Sequence, residues 1–549
     1  MTADPAQIWP EDFARRYRDR GWWKGETFGQ MLDRLAAAHG PRPALVAGEV
    51  RLTYAGLADA ARRIATGFRA LGLNPGDRVL VQMPNRAEFL TGVLGLFYAG
   101  LVPVYALPAH RETEVLHLAA KSGARAYLAA DRHEGFDYRP LAARVLALPG
   151  VAHAVIAGEG AGGLTPFATL ADAAPMAAPE PRDPGGVAFL QISGGSTGLP
   201  KLIPRTHDDY IYSFAASAGI CGLTPDSVML IALPAAHNFP MSSPGFFGAL
   251  SAGACVVLAP NPTPDTCFRL IEAERVTITG LVPPLALLWL QAAPRGKYDL
   301  SSLQVLQVGG AKFMAEAAAR VRPVLGCTLQ QVFGMAEGLV NYTRLDDPED
   351  IIVNTQGRPI SPDDEVLVLD DDGNPVAEGA PGNLYARGPY TIRAYHDEPA
   401  ANARSFTPDG FYRTGDIVRR LPGGYLEVRG RAGDHINRAG EKISAEEVED
   451  HILAHPDVFD AAVVALPDPV LGERSCAFVV PRAGADPTAP AIKAFVRARG
   501  IAEFKVPDRV IFVPDFETTA VGKISRKALR AALRDRYTAP EPGQKEPQA

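Results

Sequence analysis

Residues 189–201 read Phe189-Leu-Gln-Ile-Ser-Gly-Gly-Ser-Thr-Gly-Leu-Pro-Lys201. An apolar strand runs into Ser193, Gly194, Gly195, Ser196, Thr197 and Gly198, and Lys201 closes the run. Glycines let backbone N–H groups converge on an anion, and hydroxyls and an ammonium add further donors, a combination suited to phosphate. The G-x-x-x-x-G-K-[ST] spacing of a Walker loop is absent. A literal G-x-S-x-G does occur through Gly194, Ser196 and Gly198, which offers a second reading with Ser196 as a hydrolase nucleophile. That elbow requires a helix directly after the serine. Here Pro200 and Pro204 follow, and the next helix start falls near His207-Asp208. A merely flexible loop is the weakest reading, because hydroxyls, glycines and a lysine crowded at a strand end are costly to hold without a ligand.

Outward from this loop, up to about residue 335, short apolar strands alternate with helical patterns. Thr53 is expected to cap a helix in which Leu57, Ala61, Ile64, Ala65, Phe68 and Leu71 share a face, with Gly72 after its end. Strands are expected at Val79–Met83, Ala126–Ala130, Val151–Ala157, Val187–Ile192, Val228–Leu233, Cys255–Leu258, Val276–Thr279, Leu303–Val308 and Leu329–Phe333. Strands this apolar belong to parallel sheets covered on both faces, and their number calls for two sheets. Residues 158–186, rich in Ala, Pro and Gly, read as a surface excursion. From Ile351 to Val428 the grammar shifts to short strands with hairpin turns. Asp372-Gly373 between VLVL and PVAEG, and Pro422-Gly423-Gly424 between IVRR and YLEV, mark them. Beyond Gly430 a compact α+β pattern follows, with helices at Ala445–Ala454 and Ile492–Arg499 and strands at Asp460–Ala465 and Glu473–Val480. The expected fold is α/β: a large N-terminal domain (1–432) of two covered parallel-rich sheets plus a small β-barrel-like subdomain (351–430). A small mobile α+β lid domain (433–537) and a disordered Pro-rich tail (538–549) complete it.

Composition narrows the function class. The 549 residues carry 55 Lys+Arg against 62 Asp+Glu, a net −7 that offers no global positive field to nucleic acid or an anionic membrane. Five widely spaced cysteines (Cys221, Cys255, Cys267, Cys327, Cys476) contain no C-x-x-C pair, so zinc-knuckle and disulfide frameworks are unsupported. The charged N-terminus lacks a signal-peptide core. The uncharged run from Phe89 to Pro108 is interrupted by Gly92, Gly95, Gly100 and Pro103, and reads as a helix, a turn and the buried strand Val102–Ala106 rather than a membrane span. A cytoplasmic protein is expected.

At the glycine-rich loop the sequence resembles the adenylate-forming superfamily of acyl- and aryl-CoA synthetases, luciferases and peptide-synthetase adenylation domains. Further motifs recur in order: Val308-Gly-Gly-Ala-Lys312, Gln331-Val-Phe-Gly-Met-Ala-Glu337, Tyr412-Arg-Thr-Gly-Asp416, Gly430-Arg431, Gly440-Glu-Lys442 and Gly522-Lys523-Ile-Ser-Arg526. Within it, the chain is most similar over nearly its whole length to aryl-acid–AMP ligases of catechol siderophore pathways, the 2,3-dihydroxybenzoate–AMP ligases. The resemblance implies ATP and Mg²⁺. An aryl carboxylate would attack the α-phosphate to give aryl-AMP and pyrophosphate, and a thiol would then take the acyl group. By that resemblance Ser193, Gly194, Gly195, Ser196, Thr197, Gly198 and Lys201 hold the β- and γ-phosphates, and Glu337 engages Mg²⁺. Phe333, Gly334 and the Gly309-Gly310-Ala311 turn frame adenine; Asp416 accepts the ribose hydroxyls with Arg431 nearby. Lys523 bridges carboxylate and α-phosphate, favouring the transition state.

The segment His237-Asn-Phe-Pro-Met-Ser-Ser243 follows a buried strand, at the end where α/β ligands bind. Resemblance makes it the aryl pocket, with His237 beside the carboxylate, Asn238 and Ser243 facing ring hydroxyls, Phe239 within the pocket, and Val340 as an apolar wall. Salicylate-activating relatives generally carry Cys where this chain has Ser243; a hydroxyl there pairs with a second ring hydroxyl, which favours 2,3-dihydroxybenzoate. The implied acceptor is the phosphopantetheine of an aryl carrier protein, reached when the small domain rotates about a hinge near Arg431 and brings the Gly440 loop to the site. The chain departs from its relatives at Gly433 (usually Lys or Asp), Ala439 and Glu517, and Ala336 stands where the wider superfamily often has Thr; none of these removes a phosphate or magnesium ligand. An aryl-CoA ligase using free CoA and a non-catalytic adenylate-binding regulator are the remaining alternatives, the latter opposed by intact Lys523, Glu337 and Asp416.

Overall fold

In the Thr53-capped segment the cap and the apolar stripe both act as the sequence dictates. The Thr53 hydroxyl accepts from Gly56 N, and helix Tyr54–Ala70 buries Leu57, Ala61, Ile64, Ala65 and Phe68. Gly72, at φ +85°, follows its end. The computed structural model describes residues 9–160, 162–193, 200–431, 435–438, 441–468, 472–499, 501, 505–516 and 529.

Two sheets dominate. The seven-stranded sheet runs, edge to edge, Leu202–Thr206, Val187–Ile192, Val102–Ala106, Arg78–Gln82, Ala126–Ala130, His153–Ala157 and Thr165–Pro166. All its pairings are parallel except the hairpin Val187–Ile192 with Leu202–Thr206. The nine-stranded sheet runs Arg358–Pro359, Gly338–Tyr342, Thr328–Met335, Val305–Gly309, Ile278–Leu281, Val228–Ile231, Cys255–Leu258, Pro43–Ala47 and Val50–Thr53. Its six central strands are parallel. One continuous core, including helices Tyr54–Ala70 and Ala87–Tyr98 and the rings of Phe28, Phe97, Phe189, Phe214 and Phe247, joins the two sheets. The uncharged run 89–108 is a buried helix and a buried strand, as expected, and no helix among the described residues is long and apolar enough to cross a membrane.

The β subdomain is a four-stranded antiparallel meander, Glu365–Leu369, Pro381–Arg387, Tyr412–Arg420 and Leu426–Arg431. Its Pro422-Gly423-Gly424 hairpin falls where the sequence puts it. The Asp372-Gly373 turn differs: PVAEG contributes only an isolated bridge between Leu369 and Pro375, and the true partner is Pro381–Arg387. Asp370 captures the N–H groups of Asp372 and Asn374, which tightens the turn before pairing can resume. Near Ile351 there is a helix, Glu349–Asn354, rather than a strand, because acidic residues follow Pro348 at its start. The excursion 158–186 holds the helical turn Phe167–Ala171, whose Phe167 and Leu170 are buried. The Ala-rich stretch hid these two anchors.

C-terminal to the meander, helices Ala445–Leu453 and Ala489–Ala498 cover a sheet of Glu441–Ser444, His435–Arg438, Gly472–Pro481 and Val458–Asp468, with Arg509–Phe512 parallel to Gly472–Pro481. It has its own core around Ile436, Val448, Val463 and Val479.

Candidate active site

The glycine-rich segment connects two antiparallel strands, Val187–Ile192 and Leu202–Thr206. At its base Ser193 N donates to Lys201 O (2.9 Å) and Lys201 N to Ser193 Oγ (3.0 Å). The chain therefore leaves the loop along an antiparallel strand, not a helix, which removes the nucleophile-elbow geometry and with it the Ser196 hydrolase reading. Pro204 is tolerated because its strand is the sheet edge. Gly194, Gly195, Ser196, Thr197 and Gly198 lie outside the described residues, as do Gly433, Ala439, Gly440, Glu517 and Lys523; of Arg431, only the backbone is described.

Lys201 Nζ sits 4.4 Å from the centroid of the Tyr395 ring. The Tyr395 hydroxyl donates to Glu337 Oε1 (2.8 Å) and lies 3.2 Å from the Tyr412 hydroxyl. Burial, reinforced by the neighbouring carboxylate, raises the Tyr395 phenol far above its usual value, so it stays a donor. Glu337 is held at the turn between Thr328–Met335 and Gly338–Tyr342, where Ile392 N donates to its carbonyl (2.7 Å). The strand after the loop is tied to this same turn. Arg205 Nη1 donates to Ala336 O (2.8 Å), while its Nε meets Asp209 Oδ1 (2.9 Å) in a pair buried on both sides. Asp209 also completes a capping box with Thr206, so one carboxylate fixes a helix start and an arginine together. Lys201, Glu337 and Tyr395 thus meet across elements from three parts of the chain. Tyr395 and Arg205 carry no local motif, and sequence reading missed them.

Tyr412, Thr414 and Asp416 are buried in alternation along one strand, and the Thr414 hydroxyl accepts from Asp416 N (3.0 Å). Asp416 stands opposite Arg431 in the strand register.

The second group lies at the carboxyl ends of the nine-stranded sheet. From Val228–Ile231 the chain passes to Cys255–Leu258 on one side and returns to Ile278–Leu281 on the other, so the strand order reverses there. Such a reversal opens a crevice in which α/β ligands bind. A small cavity of about 10 Å³, partly open to solvent, lies there, lined by Leu233, Phe239, Pro240, Ser243, Gly280 and Gln307 among others. His237 caps the short helix Asn238–Ser242, its Nδ1 accepting from Phe239 N (3.3 Å), and Asn238 Oδ1 accepts from the Tyr210 hydroxyl (2.8 Å). The loop before His237 is held by Asn85 of the other sheet's loops. Its amide reaches the carbonyls of Ile231, Leu233 and Ala259 (3.0–3.1 Å), and its oxygen accepts from Ala235 N (2.8 Å).

Gly309 ends strand Val305–Gly309, and a Cβ there would lie 2.8 Å from Val332 O and 3.3 Å from the Phe239 ring. Gly310, at φ +85°, then turns the chain away, leaving Ala311 exposed. Phe333 pairs in register with Asn341, and Gly334 with Val340. Val340 N donates to the Tyr390 hydroxyl (3.1 Å), which donates to Asp364 Oδ2 (2.6 Å). No group of three or more His, Cys, Asp or Glu side chains suited to a metal occurs among the described residues.

A sequence profile of the AMP-binding enzyme family matches residues 32–396, and that of the AMP-binding enzyme C-terminal domain matches residues 447–523. The chain belongs to the AMP-binding enzyme family. It is 56% identical over 534 residues, 97% of this chain and 98% of the other, to the 2,3-dihydroxybenzoate-AMP ligase of Bacillus subtilis. It is 46% identical to the salicyl-AMP ligase / salicyl-S-ArCP synthetase of Mycobacterium tuberculosis, over 95% of this chain and 93% of that one. Among solved structures, apo MbtA of Mycobacterium smegmatis superposes with a TM-score of 0.74 at 48% identity, covering 95% of this chain and 98% of that one.

Proposed function

We propose that this enzyme activates 2,3-dihydroxybenzoate with ATP, releasing pyrophosphate, and passes the aryl group to the phosphopantetheine thiol of a carrier protein in siderophore synthesis. The observation that carries the reading is the meeting of Lys201, Tyr395 and Glu337 beside the base of the glycine-rich hairpin. Lys201 brings positive charge to the base of a loop rich in backbone and hydroxyl donors, a cradle for the β- and γ-phosphates. The buried Glu337 carboxylate, oriented by Tyr395, is the single hard oxygen donor that Mg²⁺ takes from protein when phosphates and water fill its other positions. Bound there, the ion would neutralise charge on the phosphate oxygens. Asp416, with Arg431 opposite in register, is assigned to the ribose hydroxyls; Phe333, Gly334 and the Gly309–Ala311 turn are assigned to the adenine. His237 and Asn238 present the aryl carboxylate and a ring hydroxyl, Val340 and Phe239 wall the ring, and Lys523 is assigned the charge bridge at the α-phosphate. Gly440 is assigned to the loop that admits the carrier's thiol.

Ser243 is buried in the crevice, and a hydroxyl there favours the catechol acid over salicylate. The named activities of the relatives divide the same way, between 2,3-dihydroxybenzoate and salicylate. A Streptomyces relative, 47% identical, is a salicylyl-CoA synthase / salicylate adenylyltransferase, which keeps free CoA as the rival acceptor. An aryl-acid panel in ATP–pyrophosphate exchange tests the substrate: 2,3-dihydroxybenzoate should lead, and a several-fold preference for salicylate would overturn that assignment. Thioester formation with a phosphopantetheinylated carrier, against free CoA, decides the acceptor.

A further inference from the structure

The turn that carries Glu337 and Val340 holds a conformation its own residues do not favour. Strand Gly338–Tyr342 pairs with Thr328–Met335 through Val340 opposite Gly334 and Gly338 opposite Met335, so Leu339 is an extra residue, a β-bulge. Its φ is +42°, in the left-handed region that a leucine side chain rarely adopts. The bulge sends consecutive side chains into different cores. Leu339 packs with Val368, Leu384 and Val418 of the meander, and Val340 lies in the core that the two large sheets share.

Residues 390–392 brace this turn at both ends. Ile392 N donates to Glu337 O (2.7 Å), and the Tyr390 hydroxyl accepts from Val340 N (3.1 Å). Between these bonds Gly338 passes so close that a Cβ there would lie 2.4 Å from Thr391 Cα. The direction of the Tyr390 hydroxyl is set by its other neighbour: it donates to Asp364 Oδ2 (2.6 Å), which leaves its oxygen to accept from Val340. Asp364 Oδ2 also accepts from Ser361 N (3.1 Å), whereas Oδ1 is buried without a hydrogen-bond partner among the described residues. Burial pushes the Asp364 carboxyl up to about 7, and a proton taken up there goes to Oδ1, so Oδ2 accepts from Tyr390 in either state. A backbone outlier and a partnerless carboxylate oxygen both cost stability, and such costs collect where geometry serves a ligand.

Resting on the aryl-acid reading above, we infer that Tyr390, oriented by Asp364, is a positioning residue whose hydroxyl holds the Leu339 bulge and thereby sets Val340 against the aryl ring. Without the hydroxyl, Val340 N loses a buried acceptor and the positive φ of Leu339 loses its restraint. The strand is then free to take the extra residue into its ladder. A shift of one residue exchanges the faces of Leu339 and Val340, which turns Val340 away from the ring.

Tyr390→Phe removes one oxygen and keeps the ring. On the full chain it should raise KM for 2,3-dihydroxybenzoate in ATP–pyrophosphate exchange by on the order of fivefold or more, the worth of one buried hydrogen bond. KM for ATP should move by less than about twofold, because a merely structural loss lowers apparent kcat and leaves both KM values in place. Tyr212→Phe is the control. Its hydroxyl donates to Ser361 Oγ (2.7 Å) in the same network without reaching Val340, so its loss should leave KM for the aryl acid unchanged. Asp364→Asn keeps an acceptor for the Tyr390 hydroxyl and should hold that KM near the unaltered value, whereas Asp364→Leu should match Tyr390→Phe. Should Asp364→Leu fail to fold, the two phenylalanine variants still decide. An unchanged aryl-acid KM in Tyr390→Phe overturns the inference, and so does an equal rise in Tyr212→Phe. If the unaltered enzyme supports no exchange with any aryl acid, the aryl-acid reading itself fails and takes the inference with it.

Discussion

Single side chains carry the chemistry, and several make measurable claims. Lys523→Ala should lower adenylation by on the order of a hundredfold or more, while leaving thioester formation from supplied aryl-AMP much less affected; normal pyrophosphate exchange in that variant would remove its assigned role. Ser243→Cys should lower kcat/KM for 2,3-dihydroxybenzoate by about tenfold relative to salicylate, read in the same assay. A third claim concerns pH. His207 is buried, its Nδ1 accepts from Phe28 N (3.2 Å), and burial next to Arg182 lowers its pKa to about 3. The unfolded chain takes up a proton there below about 6.5 that the folded chain refuses, so stability contributed by neutral His207 is present above that pH and drains as pH falls toward 3. His207→Gln, which keeps an acceptor, should flatten the fall of the unfolding free energy between pH 6.5 and 4, by an amount on the order of a few kcal/mol, read by urea unfolding at each pH. An unchanged slope would place the acid sensitivity elsewhere.

At the scale of elements, the devices that position the site are long-range and largely polar. Asn85 bonds to four backbone groups at the ends of two strands and in the loop leading to His237. Asn85→Ala should cost roughly 2–4 kcal/mol in urea unfolding and raise KM for the aryl acid more than for ATP. Gly357 illustrates a purely geometric requirement: at φ +81°, a Cβ would lie 1.9 Å from the Tyr342 carbonyl carbon, so no side chain fits beside that strand. What could be read from sequence follows the same division. Periodic signals were sufficient for the Thr53-capped helix, for Val187–Ile192 and Cys255–Leu258 to the residue, and for the Pro422 hairpin. Signals that depend on a distant partner were not. The edge strand Leu202–Thr206, the next-to-edge strand Gly338–Tyr342, the pairing of Pro381–Arg387, and the pairing of His435–Arg438 with Glu441–Ser444 have weak local patterns and exist because a neighbouring strand needs its ladder filled. Likewise Lys201 and Glu337 stand out in motifs, whereas Tyr395, which links them, does not.

For the molecule as a whole, two parallel-rich sheets share one core, and the two proposed subsites lie at their edges and carboxyl ends: the hairpin proposed for phosphate on one sheet, the crevice proposed for the aryl acid at the strand-order reversal of the other. Asn85 and the Arg205–Ala336 bond cross between these sheets, so geometry at one half of the site is coupled to the other. The smaller C-terminal unit has a separate core, a condition that the proposed lid motion between half-reactions would need. The most direct test is a single turnover with purified enzyme, MgATP and 2,3-dihydroxybenzoate in the absence of any thiol acceptor, following aryl-AMP by mass spectrometry and pyrophosphate by a coupled assay. One aryl-AMP should be retained and one pyrophosphate released per active site; nucleotide left intact, or cleaved to ADP and phosphate, would contradict adenylation by this enzyme.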